Sequence, residues 1–187
     1  MFLFIPRFWH LLNQKGHHRG MTILVDSAIW PWRGKNWAHL ISDETYIELH
    51  SFAEKIGLRR MSFQGDHYDV SSQTRDIAIK NGAKPVDGRE LITSLKEAGL
   101  RLSPSERPGK WEQIKDNPPK IFEKHLSQIK LDWELATIET FKRSSELAVV
   151  VECSTGIKLG ESNRGEDVEV RTTNNNCRLE LLIKMGD

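Results

Sequence analysis

The run Gly65-Asp66-His67-Tyr68-Asp69 places two carboxylates, an imidazole and a phenol within five residues. Imidazole and carboxylate groups transfer protons near neutral pH and ligate divalent cations. Upstream, a first strand ends on Asp26, and His39 and His50 follow it. In a parallel sheet the carboxyl ends of the strands open on one edge, where α/β domains hold their ligands. The expectation is therefore that Asp26, His39, Asp66, His67 and Asp69 converge on one anionic-ligand or metal-dependent site. His67, Asp69 and Asp26 are the candidates for catalysis. His39, Asp66, Tyr68, Arg75 and Arg89 are the candidates for ligand contact, the two arginines as a phosphate or carboxylate clamp. His39, His67 and Asp69 are the candidate ligands of a divalent metal, the one cofactor these residue types point to.

Each of these residues also has a purely structural reading. His50 sits mid-helix beside Leu49 and Phe52, as an interface histidine does. Asp66 or Asp69 can cap a turn. Tyr68 can be core with its hydroxyl bonded to backbone. Arg75 and Arg89 can be surface residues of helical first turns.

The elements that must position these groups read as follows. Thr22-Ile23-Leu24-Val25 is a short buried strand. Residues 29–37 hold Trp30, Trp32 and Trp37 and are expected to form a loop broken by Pro31 and Gly34. The tryptophans either cover one end of the core or offer a stacking or lid surface. His39-Leu40-Ile41 is a second strand, and Ser42 or Asp43 caps a helix that ends at Gly57. Arg60–Phe63 is a third strand, leading into the acidic run. Ser71 or Ser72 caps a second helix, ending at Asn81-Gly82. Lys84-Pro85-Val86 is an edge strand. Asp87 and Glu90 open a third helix with Leu91, Ile92, Leu95 and Ala98 inward, and Gly99 stops it. Leu100–Leu102 is expected to return to the sheet. The order predicts a small layered α/β domain, with a short, largely parallel sheet flanked by about three helices.

After Ser103 the texture changes. Residues 103–120 are rich in Pro, Ser and Gly and read as a linker, and 121–187 as a helical/β extension. Within it, 121–147 reads as helix, and 148–151 and 179–183 as strands. Residues 1–20 put an apolar run before their basic and aromatic residues, the reverse of a secretory signal. They read as a disordered extension, with Met21 the effective start of the α/β domain, which runs to 102.

Basic and acidic side chains number 27 and 26 in 187 residues, a net charge of +1. That balance gives no global argument for nucleic acid, although a local groove is not bound by it. Hydrophobic residues make up 38% and mean hydropathy is −0.50, so part of the chain lies outside a core. No apolar run reaches the roughly 20 residues that cross a bilayer. Cys153 and Cys177 lack finger spacing and read as free thiols in a reducing cytosol. No P-loop, GxGxxG or nucleophile elbow occurs.

Trp37-Ala38-His39-Leu40-Ile41-Ser42-Asp43, Glu48-Leu49-His50-Ser51-Phe52-Ala53, Asp66-His67-Tyr68-Asp69-Val70 and Arg89-Glu90-Leu91 occur in that order, with Gly82-Ala83 and Gly99-Leu100-Arg101. With this ordered set, residues 21–102 resemble the bacterial and phage family called domain of unknown function 4031. The resemblance carries no established activity. Some members look like fusions to an HD-type metal phosphohydrolase. Here the region after Ser103 has His125 but no His-Asp pair, so that activity is not carried over.

Three function classes follow. The first is a ligand- or partner-binding module using the 66–69 edge to hold a small anionic ligand. The second is a metal-dependent hydrolase of a phosphate ester or nucleotide, with His67 as acid–base. The third is a nucleic-acid-associated accessory protein, suggested by the basic-aromatic run from Trp30 to Trp37.

Overall fold

The computed structural model describes residues 22–115, 117–160 and 168–185. The amino-terminal extension 1–20 lies outside them. Two five-stranded sheets organise the chain. The first holds β1 (Ile23–Val25), β2 (Trp30–Trp32), β3 (Lys35–Ser42), β4 (Tyr68–Ser71) and β5 (Lys84–Pro85). Helices α1 (Tyr46–Lys55), α2 (Ser72–Lys80) and α3 (Gly88–Glu97) pack around it.

The pleat of β3 divides the first unit into two faces, because successive strand residues point to opposite sides. Ala38 and Leu40 join Ile23, Val25 and Val70 against Leu49 and Ala53 of α1 and Ala78 of α2. Ile41 faces the other way, with Leu24 against Val86, Leu91 and Leu95 of α3. Trp37 and His39 share the face of Ile41 by their spacing along β3, and His39 lines a cleft with residues of α3.

Helix ends follow the sequence with small shifts. Thr45, not Ser42 or Asp43, caps α1 by accepting from the Glu48 amide. Ser42 instead accepts from the amides of Glu44 and Thr45 at 3.0 Å. Ser71 caps α2, and Asp87 caps α3 through the amides of Arg89 and Glu90.

The sheet is mixed, not largely parallel. Its one parallel pairing is β1 with β5, while β3 pairs antiparallel with β1, β2 and β4. The expected loop at 29–37 is a hairpin. Arg33 and Gly34 both take positive φ, 50° and 72°, as a two-residue hairpin turn requires. Pro31 is tolerated because β2 is an edge strand. Strands joined so tightly must run antiparallel. Arg60–Ser62 is a single 3-10 turn, and residues 100–102 do not return to the sheet. The described helices number four, the last being α4 (Glu123–Leu126).

The second sheet is all antiparallel, in the order β6-β7-β8-β10-β9. Its strands are β6 (Glu112–Ile114), β7 (Ala136–Arg143), β8 (Glu146–Cys153), β9 (Glu169–Thr173) and β10 (Arg178–Lys184). The helix expected over 121–147 gives way to α4, short 3-10 turns and β7. The alternating β-branched and aromatic residues Thr137, Ile138, Thr140 and Phe141 suit a pleated strand, and Ser144 turns the chain into β8 with a φ of 39°. Val149, Val151, Leu179 and Leu181 form the core of this unit with Phe122 and Ile129. Cys153 and Cys177 are free thiols. Among the described residues no helix is long and apolar enough to cross a membrane.

Candidate metal centre and cationic cleft

The site is built from one bulge, one cross-strand pair and one tight turn. In the register Val25 pairs with Leu40 and Trp30 with Trp37, so the four residues 26–29 oppose only Ala38 and His39. A bulge of this kind re-aims the side chains within it. Asp26 turns onto His39 and accepts from its amide at 2.7 Å and from its ring Nδ1 at 2.8 Å. Arg75 Nε donates to the Asp26 carbonyl at 2.5 Å and pins the bulge.

Across the sheet His39 is the direct register partner of Asp69, so both side chains stand on the same face. The turn before β4 is closed by the Gln64 amide on the His67 carbonyl at 2.8 Å. It delivers the His67 ring to that face, its centroid 5.1 Å from that of His39. His67 Nδ1 donates to Asp66 Oδ1 at 2.5 Å, and His67 Nε2 lies 3.4 Å from Asp69 Oδ1. Asp66 is fully buried, and its second oxygen accepts from the Leu102 amide and Arg101 Nη1, each at 3.1 Å.

Both histidines thus have the same wiring. Each gives Nδ1–H to a buried carboxylate, which leaves Nε2 as the free ring nitrogen. His39 Nε2 and His67 Nε2 lie 4.0 and 3.4 Å from Asp69 Oδ1, and one donor atom from each of the three residues lies within 4.8 Å of the others. Two ligands of one tetrahedral ion at about 2.1 Å stand roughly 3.4 Å apart, so closure onto a cation needs the more distant donors to draw together by up to about 1.4 Å. Asp69, its side chain 42% exposed, has open space in which to adjust. Two histidines and one carboxylate with open positions are a donor set for divalent transition metals, and carboxylates behind the imidazoles are its usual support.

The electrostatics agree with the hydrogen bonds. Burial alone would lower the His67 pKa, but the bonds and charges of Asp66 and Asp69 outweigh it and hold it above its ordinary value. Burial alone would raise Asp66. The His67 bond and charge, the Leu102 amide and Arg101 hold it below the usual carboxylate range.

His39 and His67 open onto a cleft of about 690 Å³ between the sheet face and α3. Arg89, Lys96, Arg101 and Arg107 line it, against the single carboxylate of Asp26. Ile41, Leu91, Ile92 and Leu95 supply its apolar wall, and Trp30 stands at the His39 side.

Of the residues expected from sequence, Asp26, His39, Asp66, His67 and Asp69 meet here, and Arg89 lines the cleft. They meet on a sheet face and in a bulge, not at parallel strand ends. Tyr68 is not at the site. Its side chain is fully buried, and its hydroxyl and His50 Nδ1 share a hydrogen bond of 2.9 Å on the opposite face. Arg75 is committed to the Asp26 carbonyl and does not line the cleft. Ile92, expected inward, is 41% exposed in the cleft. Lys96, Arg101, Arg107 and the position of Trp30 escaped the sequence reading. For Lys96 a signal existed: Arg89, Ile92, Thr93 and Lys96 recur at helical spacing on a face distinct from Leu91 and Leu95.

No curated protein and no solved structure matches this chain. Residues 23–98 match the family model described as protein of unknown function (DUF4031), and the match covers β1 through α3 and every candidate metal ligand.

Proposed function

We propose that His39, His67 and Asp69 hold a divalent cation, and that the cleft brings a phosphate ester to it for hydrolysis. The observation that carries this reading is the matched wiring of the two imidazoles, each fixed through Nδ1 by its own buried carboxylate so that Nε2 faces Asp69. A bound cation would lower the pKa of a coordinated water. Hydrolysis there would put the hydroxyl of the water on phosphorus and its proton on the departing alcohol as the P–O bond breaks. Arg89, Lys96 and Arg107 have no carboxylate partner among the described residues, and they supply charge for the phosphate oxygens.

A second reading has its own observation. Without a cation, His67 lies between Asp66 at 2.5 Å and Asp69 at 3.4 Å, as an imidazolium shared by two carboxylates would. The cleft is then an anion-binding module with no reaction. Calorimetric titration with Mn²⁺ and Zn²⁺, followed by p-nitrophenyl phosphate turnover, separates the two. The metal reading expects one ion per chain, and affinity reduced at least tenfold in Asp69→Asn and His39→Gln with little change in melting temperature. Failure of the wild-type chain to bind either ion rejects it. Phosphate binding that ignores metal and gives no turnover supports the module.

A further inference from the structure

The cleft joins three chemistries. Cationic side chains from α3 and the segment after it, His39 and His67 with Asp26, and Trp30 all line it. Trp30 is 55% exposed although it belongs to a strand. Its ring contacts His39 edge-on, with centroids 6.2 Å apart. Among the described residues no guanidinium lies over it, whereas Arg33 covers Trp32 at 4.5 Å. A large indole held on a hairpin, uncapped and one ring away from His39, is a stacking platform.

A phosphate alone would use the cations and leave the indole unused. An aliphatic phosphate would use the apolar wall and leave the π-face unused. A planar base carried beside a phosphate uses all three, since every nucleobase offers a face for aromatic stacking. We infer that the cleft takes a phosphorylated nucleoside, with its base on Trp30 and its phosphate between the His/Asp cluster and Arg89, Lys96 and Arg107. The inference rests on the phosphate reading of the cleft and adds the substrate class. The same chemistry is presented by a free nucleotide or by the phosphorylated end of a single strand. The net charge of +1 does not bear on this, because the cations are local to the cleft.

The test compares adenosine 5′-monophosphate with ribose 5-phosphate, by calorimetry on the full chain, with and without Mn²⁺. Stacking predicts that the nucleotide binds at least tenfold tighter than the sugar phosphate. Trp30→Ala should erase that preference, and Trp30→Phe should keep part of it. Equal affinity for the two ligands in the wild-type chain overturns the inference, as does a base preference that survives Trp30→Ala. Absence of binding by either ligand also overturns it. The base preference is read with and without metal, so it can stand where the cation fails and fail where the cation binds. A 5′-phosphorylated oligonucleotide that binds tighter than the mononucleotide identifies a strand end as the source. Equal binding identifies the free nucleotide.

Discussion

Asp66→Asn tests the wiring of the site at the point where geometry makes the clearest demand. The Asp66 side chain is fully buried and engages three donors: His67 Nδ1, the Leu102 amide and Arg101 Nη1. An asparagine can satisfy the amide and the guanidinium with its one carbonyl oxygen. Its NH₂ then faces His67 Nδ1, which must accept instead of donate. The remaining proton moves to Nε2, the atom the cation needs, and the tautomer is the wrong one. Loss of a carboxylate of this kind costs metal affinity about 10- to 100-fold, or roughly 1.4–2.7 kcal/mol. The fold should survive the change, because every buried polar atom keeps a partner, at a modest cost in stability for losing a charge that its neighbours favour. The assay is a Mn²⁺ or Zn²⁺ titration at neutral pH beside a thermal melt. A variant that melts like the wild type and binds the ion with unchanged affinity refutes the tautomer argument, and with it the reason for assigning Asp66 to the site.

Three further outcomes follow from the packing. His50 is neutral, its pKa pushed down to about 3, first by burial and then by Arg60, Arg171 and Lys184. Its folded pKa lies below the unfolded 6.5, so its contribution to stability is present above pH 6.5 and is lost as pH falls from there towards 3. Between pH 7 and 5 that loss is at most about 2 kcal/mol, and nearer about 1 kcal/mol after allowance for screening at a partly exposed ring. Urea titrations at the two pH values should show His50→Gln less acid-sensitive than the wild type by that amount, and parallel behaviour refutes the assignment. Gly65 has a φ of +96°, and a Cβ there would lie 2.6 Å from Pro108 Cδ and 2.9 Å from Leu102 Cδ1. Gly65→Ala should therefore lower stability by about 2 kcal/mol or more, and an unchanged melt contradicts the close approach. Glu180 is fully buried, accepts from the Met61 amide at 3.1 Å and pairs with Arg178 at 2.9 Å. Glu180→Ala strands the Met61 amide and leaves Arg178 with Glu152 alone, and should cost about 1–3 kcal/mol by denaturant titration, a value near zero ruling against the network.

The helices of the first unit were legible because their punctuation is local. Ser71, Asp87, Gly57 and Gly99 act within a few residues of the ends they mark. The sheet was not, because Pro31 and Gly34 act as breakers in most contexts. Their tolerance depends on β2 being an edge strand and on a turn of positive φ, both of which are tertiary facts. The residues of the cluster were legible by type, yet the device joining them was not. A bulge that turns Asp26 onto His39, and a register that sets His39 opposite Asp69, leave no mark in composition. Over 121–147 the loose apolar spacing suited a helix as well as a strand. Pairing of β7 with β8 along eight residues decided for the strand.

The cluster also depends on chain well outside the residues that match the family. Asp66 is completed by Arg101 and Leu102, and Gly65 is packed under Pro108. The 3-10 turn just upstream is held by the Trp111 indole on the Met61 carbonyl at 2.9 Å and by Glu180 on the Met61 amide. Arg143 Nη1 donates to the Phe63 carbonyl at 2.7 Å, and Arg171 Nη2 to the His50 carbonyl at 3.0 Å. The segment from Met61 to Asp66 is short of regular structure, so without these bonds its buried amides and carbonyls would lack partners. Residues 23–98 supply the donor atoms, and the residues that follow supply the bonds that fix the turn carrying His67. A ligand site needs its donors held within a fraction of an ångström, which a free turn of this length does not give. The second sheet therefore acts on the site through the backbone of that turn, without lining the cleft.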